Sequence, residues 1–344
     1  MTDFGPGLAG PLDRGADRPP EDRGCPRDRV RLLVSRPAGE SHHRFSDLPK
    51  LLRPGDLLVV NESATEAASL EAVGPSGPFR ASVSTQYGPD LWLIEPRKNF
   101  AEPGPVPLAP GDRLEVGGVP GRYVAPFPGI DRLGFFHARG ELRAAMRCRG
   151  RPIRYGYLAR DYPLAAYQTV FARVPGSAEM PSAGRPFTEA LLARLAERGI
   201  RTAPVLLHAG VSSLEPGDIR PPSPPVFPEP FEVPASTVAA IERTRRRGGR
   251  VVAVGTTVVR ALESATDGGH LRPSRGFTRV YLSPERMVGS VDGLLTGFHT
   301  AGSTHLALLA AVAELAVVQR AYRTAMDSGY LWHEFGDSHL LLRA

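Results

Sequence analysis

The chain has 344 residues, of which 42% are hydrophobic and 23% charged, a composition typical of a soluble globular protein long enough for two domains. No apolar run approaches the roughly 20 residues of a transmembrane helix. The N-terminus also lacks the apolar core of a secretory signal, so we expect a cytoplasmic protein without a membrane anchor. Cys25 and Cys148 have neither zinc-site spacing nor the number that a disulfide framework needs. The net charge of +6 weakly favours an anionic partner.

The first part of the chain predicts an extension followed by short strands. Residues 1–27 are rich in Pro, Gly, Asp and Arg, which predicts a disordered extension. RVRLLVSR (29–36) and DLLVVN (56–61) then read as β-strands. Further short candidates, ASVSTQ, LWLIEP, RLEVG, GRYVA and LGFFHA, are separated by Pro and Gly turns at the spacing of an all-β barrel or sandwich. We therefore expect a small β domain inserted over residues 67–139.

After about residue 140, helices alternate with strands. The stretch from Thr188 to Gly199 has the cap, the apolar spacing and the C-terminal glycine of an amphipathic helix, and IRTAPVLLH follows it as a strand. A second helix opens at Ser236 and is followed by the strand VVAVGT. This alternation predicts βα units on a largely parallel sheet with flanking helices. Residues 28–66 and 140–344 are thus expected to form one α/β domain that the β domain interrupts.

Polar or small residues recur where the predicted strands end and helices begin. Ligands of open α/β sheets collect at such corners, beside the helix N-termini. The candidate site residues at these corners are Tyr167, Gln168, Ala183, Gly184, His208, Gly255, Thr256, Thr257, Asp292, His299, Ser303, Thr304 and Asp337.

The Gly-Thr-Thr corner at residues 255–257 also has an ordinary structural explanation. Thr256 or Thr257 would cap the helix that follows, which needs no ligand at all. Arg260 lies three residues before Glu263 on the same helix face, so these two side chains would pair with each other. The residues alone leave both interpretations open.

The corner at residues 291–305 combines a helix cap with two histidines. Ser303 or Thr304 would cap the next helix, while His299 and His305 beside the cap indicate a site. Two imidazoles without a matching third ligand do not make a metal centre, so we expect no metal.

Five stretches together resemble the S-adenosylmethionine:tRNA ribosyltransferase-isomerase family of queuosine biosynthesis. They are GDLLVVN, AAYQTVFARVPGS, AVGTTVVRALES, VDGLLTGFH with Ser303 and Thr304 behind it, and FGDSHLL. The resemblance covers roughly residues 29–342. It implies an α/β domain interrupted by a small antiparallel β-barrel, which agrees with the organisation expected above.

The resemblance implies a definite reaction. The ribosyl part of S-adenosylmethionine moves to the 7-aminomethyl-7-deazaguanine base of a tRNA and is isomerised, giving epoxyqueuosine with release of adenine and methionine. S-adenosylmethionine is the only co-substrate, tRNA is the partner, no metal is required, and a monomer is favoured. A base must remove a proton next to the sulfonium, for which His208, His299 and Asp337 are the candidates. Arg260 is the candidate for a bidentate interaction with the methionine carboxylate.

The chain departs from the family pattern in five loops, at residues 61–65, 185–186, 211–214, 223–230 and 300–305, where an arginine, a histidine and a lysine are absent. Loss of cations and histidines at loop tips is expected where the scaffold persists and the acceptor differs. Two alternatives therefore stay open. One is an S-adenosylmethionine-dependent enzyme with a small-molecule acceptor, and the other is a non-catalytic RNA-binding protein.

Overall fold

The computed structural model describes residues 14–98, 106–211, 226–300 and 303–343. Its strands are β1 (Arg31–Arg36), β2 (Gly39–Arg44), β3 (Leu57–Asn61), β4 (Ser63–Thr65), β5 (Ser69–Gly74), β6 (Gly77–Gln86), β7 (Leu91–Arg97), β8 (Arg113–Val116), β9 (Val119–Phe127), β10 (Ile130–Ala138), β11 (Val174–Ser177), β12 (Arg201–Leu207), β13 (Glu229–Val233), β14 (Val251–Val254), β15 (Thr266–Asp267), β16 (His270–Leu271), β17 (Ser274–Thr278), β18 (Gly293–Gly297) and β19 (Ser338–Leu342).

The α-helices are α1 (Leu48–Leu51), α2 (Leu142–Arg149), α3 (Glu189–Glu197), α4 (Ala235–Arg246), α5 (Thr256–Ser264), α6 (Thr304–Val312) and α7 (Leu315–Asp327). Short 3-10 turns cover Pro20–Arg23, Arg27–Arg29, Phe45–Asp47, Leu164–Tyr167 and Ser182–Gly184. Within the described ranges, every helix is too short or too polar to cross a membrane.

The central sheet has nine strands in the order β17-β13-β12-β3-β14-β18-β19-β1-β2. The pairs β12–β3, β3–β14, β14–β18 and β1–β19 are parallel. The pairs β17–β13, β13–β12, β18–β19 and β1–β2 are antiparallel. The expected largely parallel sheet is therefore corrected to a mixed one. A two-residue connection joins β1 to β2, and so short a link permits only an antiparallel neighbour.

Helices cover both faces of this sheet, and the strand pattern shows why. All residues of β3 are buried, and alternate side chains point to opposite faces. Leu57 and Val59 pack in a core with side chains of α4, α5, α6 and α7. Leu58 and Val60 pack in a second core with side chains of α1 and α3. A strand buried on both sides reads as a continuous apolar run, as LLVV does here.

The inserted β domain is a closed six-stranded barrel in the order β10-β7-β6-β5-β8-β9. All its pairs are antiparallel, and the strands lie between Ser69 and Ala138, within the range predicted for the insertion. Its core includes Leu70, Ile94 and Phe136. The structure thus decides between the barrel and the sandwich in favour of the barrel.

Residues 14–27 correct the expectation of disorder over this part of the chain. They form a 3-10 turn at Pro20–Arg23 and pack on the α/β domain, with Ala16 buried. Glu21 forms an ion pair of 3.0 Å with Arg185, whose side chain is only 3% exposed. A polar segment can be ordered by contacts with distant residues, which its own composition does not reveal. Residues 1–13 lie outside the described residues.

Candidate active site

A cavity of about 480 Å³ opens where β14 and β18 end, beside the first turns of α5 and α6. Gly255, Thr256 and Thr257 line it from one helix start, and Ser303 and Thr304 from the other. Helix N-termini present free N–H groups and a partial positive charge, so they attract anions. Two of them at one cavity suit a ligand that carries a carboxylate.

The Gly255 corner is built by backbone geometry. Gly255 has φ of +100° and is itself the N-cap of α5, so neither threonine caps that helix. Its N–H donates to the carbonyl of Leu295 on β18 at 2.8 Å. Thr257 Oγ1 lies 3.3 Å from Nδ2 of Asn61, which donates to it. The capping interpretation is therefore wrong, and both threonines line the cavity.

His299 and His305 form a half-buried pair in the cavity wall. Their Nδ1 atoms lie 3.1 Å apart, and Nε2 of His299 lies 2.9 Å from Thr296 Oγ1. Burial, together with the neighbouring histidines, holds the pKa of His299 well below its usual 6.5. Burial and then Arg260 lower the pKa of His305 to about 4. Both imidazoles are thus neutral at pH 7, and one of the two Nδ1 atoms carries the proton that they share.

The other two predicted bases lie outside this cavity. His208 lines a separate cavity of about 340 Å³ with Arg143, and its Nδ1 lies 2.7 Å from Ser63 Oγ. Both oxygens of Asp337 accept backbone N–H groups, from Arg31 at 2.8 Å and from Leu331 at 2.9 Å. Burial raises the pKa of Asp337, although these two N–H groups oppose the shift. Asp337 therefore holds the backbone at Arg31 and at Leu331 in place.

Seven of the predicted binding residues line the cavity, and two more lie next to it. The seven are Tyr167, Ala183, Gly255, Thr256, Thr257, Ser303 and Thr304. Gln168 lies behind Thr65, which lines the cavity, and holds its backbone with hydrogen bonds of 3.1 and 2.8 Å. Gly184 follows Ala183 in the 3-10 turn Ser182–Gly184.

Arg260 and Asp292 are not brought into the cavity. Arg260 binds the buried carboxylate of Glu229, so the expected pair with Glu263 is not formed. It lines a smaller adjoining cavity of about 40 Å³. Asp292 accepts the N–H of Val251 at 2.8 Å. Because Val251 begins β14 and Gly255 follows its end, Asp292 lies at the opposite edge of the sheet, which corrects its assignment as a ligand-binding residue.

The sequence analysis did not select a further group of residues that line the cavity. These are Tyr155, Tyr157, Glu179, His333 and Glu334. None of them follows a strand of the central sheet. The strand-end argument, which expects ligand-binding residues where the strands of the sheet end, therefore does not select them. The only local indication is the HEFGD run, where two of them stand just before Asp337.

Two of the loops that depart from the family pattern reach the cavity. The loops 61–65 and 300–305 contribute Thr65 and Thr300 to its lining. Residues 185–186 line a narrow crevice behind it. Residues 212–225 and 301–302 lie outside the described residues. Among the residues that the structure does describe, no group of three or more His, Cys, Asp or Glu side chains is arranged to hold a metal ion.

A mixed α/β sheet with an inserted barrel, and a cavity between two helix starts, define an α/β protein with a small-ligand site at its strand ends. The family model described as "Queuosine biosynthesis protein" matches residues 10–341. The chain belongs to this family, and the resemblance seen in its sequence is confirmed.

Named relatives agree with this assignment over nearly the whole chain. The S-adenosylmethionine:tRNA ribosyltransferase-isomerase of Thermus thermophilus is 38% identical over 327 residues, covering 92% of this chain and 94% of its own. That of Symbiobacterium thermophilum is 37% identical and covers 99% of both chains. The crystal structure of the S-adenosylmethionine tRNA ribosyltransferase from Thermotoga maritima matches with a TM-score of 0.54 and 27% identity, covering 96% of this chain and 98% of that one.

Proposed function

We propose that this protein transfers the ribosyl part of S-adenosylmethionine to the 7-aminomethyl-7-deazaguanine base of a tRNA and isomerises it, releasing adenine and methionine. The observation that carries the proposal is the cavity between the starts of α5 and α6, with a neutral imidazole pair in its wall, in a chain of this family. S-adenosylmethionine and tRNA are then its two substrates.

The helix starts suit the methionine part of S-adenosylmethionine. Its carboxylate fits the two N-termini, where Thr256, Thr257 and Thr304 add hydroxyl groups. Ser303 Oγ is buried and has no hydrogen-bond partner among the described residues. A buried hydroxyl without a partner costs stability, so a ligand atom that bonds it in the cavity would recover this loss.

The imidazole pair suits the removal of a proton. The proton leaves the carbon next to the sulfonium and goes to the pair, and the electrons of the broken C–H bond stay on that carbon beside the positive sulfur. A neutral imidazole can accept a proton, and both imidazoles are neutral at pH 7. The lowered pKa of each also makes it a weaker base than a free imidazole, so the support for this role is the place of the pair in the cavity wall. We therefore assign the base to His299 together with its neighbour His305.

Adenine release tests the proposal. The wild-type protein should release adenine from S-adenosylmethionine only when tRNA bearing the deazaguanine precursor is present. His299→Ala and His305→Ala should each lower the rate about 100-fold or more. His270→Ala is the matched control, because His270 is exposed in the hairpin of β15 and β16.

Three outcomes would contradict this assignment. Adenine release at the same rate without RNA would point to a small-molecule acceptor, and binding without release would point to a non-catalytic RNA-binding protein. Full activity of both histidine variants would remove the imidazole pair from the mechanism.

A further inference from the structure

Three aromatic rings stack along one wall of the cavity. Tyr155 and Tyr157 have ring centroids 5.8 Å apart with planes inclined by 8°, and Tyr157 stacks on His333 at 4.5 Å and 14°. Each tyrosine hydroxyl donates to a carboxylate, Tyr155 to Glu179 and Tyr157 to Glu334. All five side chains line the cavity. We call this group the tyrosine–glutamate wall.

The wall fixes two carboxylates at the edges of its rings. Burial, and then Glu179, raises the pKa of Tyr155 well above 10, and burial and Glu334 do the same for Tyr157. Both hydroxyls therefore remain protonated donors at neutral pH. A phenol hydroxyl lies in the plane of its ring, so each acid is held beside the stack rather than over a ring face. A planar ligand that stacked on these rings would have the atoms of its ring edge beside the two carboxylates.

The chemistry of a carboxylate determines which edge it accepts. Burial raises the pKa of Glu334, while the Tyr157 hydroxyl, a backbone N–H and Arg185 act to lower it. In the ionised form a carboxylate offers only acceptors, whereas a guanine-type edge offers neighbouring N–H donors. An adenine edge places a ring-nitrogen lone pair beside its amino group, and that lone pair would face a carboxylate oxygen. A cationic aminomethyl group would also be attracted to two acids. The unpartnered Ser303 hydroxyl in the same cavity independently indicates that a ligand belongs there.

We propose that Glu179 and Glu334 bind the N–H donors and the cationic amine of the acceptor base, and thereby select a guanine-type base over an adenine-type one. This inference rests on the proposed function, in which the same cavity receives an aminomethyl-deazaguanine. Tyr155 and Tyr157 are positioning residues, since they act by holding the two carboxylates.

Glutamine substitutions test the proposal with little change in shape. Glu179→Gln and Glu334→Gln should each raise the KM for precursor-bearing tRNA about 10-fold or more, since each removes a charged acceptor. The Kd for S-adenosylmethionine should stay within about twofold of the wild-type value. Tyr157→Phe should give a smaller rise in the same KM. Glu197→Gln is the control, because Glu197 is exposed at the end of α3.

Direct binding separates this proposal from the proposed function. Calorimetry with free 7-aminomethyl-7-deazaguanine and with adenine needs no turnover. We expect the wild type to prefer the deazaguanine and both glutamine variants to lose most of that preference, even if no RNA supports adenine release. Wild-type preference in the glutamine variants would overturn the proposal. An equal loss of S-adenosylmethionine binding in a variant that still unfolds cooperatively would overturn it too, by assigning the acids to the sulfonium or ammonium of that molecule.

Discussion

Gly255→Ala tests how the corner between β14 and α5 is held. Gly255 has φ of +100° and ψ of 153°, a region that side-chain-bearing residues almost never occupy. An added Cβ would lie 3.4 Å from Cβ of Ala183 and 3.5 Å from Oγ1 of Thr257, which are ordinary contacts. The cost therefore comes from the backbone, and we expect the free energy of unfolding to fall by about 1–3 kcal/mol.

The same substitution should weaken ligand binding, because relief of the backbone strain would rotate the first turn of α5 away from the cavity. Urea denaturation measures the free energy of unfolding, and calorimetry measures S-adenosylmethionine binding, which we expect to weaken about 10-fold. Gly289→Ala is the control, since Gly289 lies outside the left-handed region and a Cβ there meets nothing within 4 Å. A Gly255→Ala protein with wild-type stability and affinity would refute the idea that this backbone geometry shapes the site.

Three further substitutions probe buried titratable or charged groups. Burial opposes ionisation of Asp56, but hydrogen bonds from Arg250, including one of 2.7 Å, keep its pKa below 3.8. The ionised Asp56 thus stabilises the fold above about pH 4, and this contribution is lost as the pH falls. A plot of unfolding free energy against pH should therefore be flatter below pH 4 for Asp56→Asn than for the wild type. Burial lowers the pKa of His339 to about 3 in the folded protein. As the pH falls from 6.5 toward 3, only the unfolded state takes up this proton, so the folded state loses stability over that range. Relative to the wild type, His339→Leu should therefore gain about 2 kcal/mol of unfolding free energy between pH 7 and pH 5 in urea titrations. Arg260→Met leaves Glu229 buried without its cation and should cost about 3 kcal/mol in the same assay while the S-adenosylmethionine Kd stays near wild type. A large loss of that affinity at unchanged stability would instead restore Arg260 as a ligand-binding residue.

The structure brings strand ends together at one cavity where the two strands are directly adjacent and parallel. Gly255 follows β14 and His299 follows β18, and these two strands are parallel neighbours, so their carboxyl ends meet at one edge. The strand-end argument failed for Asp292, which precedes its strand and so lies at the other edge. It also failed for His208, because β12 is separated from β14 by β3 and its end opens on a different cavity.

The tyrosine–glutamate wall could not be predicted from local sequence. Tyr157 and Glu334 are 177 residues apart in the chain, and no periodic pattern leads from one to the other. The same applies to Glu21 and Arg185, whose ion pair orders a segment with the composition of a disordered tail. Hydrophobic periodicity specifies which elements form, whereas such pairings depend on how the finished elements pack.

The barrel and the cavity wall are built as one unit. The chain enters the barrel after β4 and leaves it through α2, and the two ends are tied where Ser69 and Arg151 exchange backbone hydrogen bonds of 2.8 and 2.9 Å. Arg143 of α2 also binds Glu66 at 2.8 Å, one residue after Thr65 of the cavity lining. Tyr155 and Tyr157 lie four and six residues after Arg151, so the tyrosine side of the cavity begins close to the point where the barrel ends are tied. These contacts place the barrel next to two parts of the cavity lining, the Thr65 side and the tyrosine side.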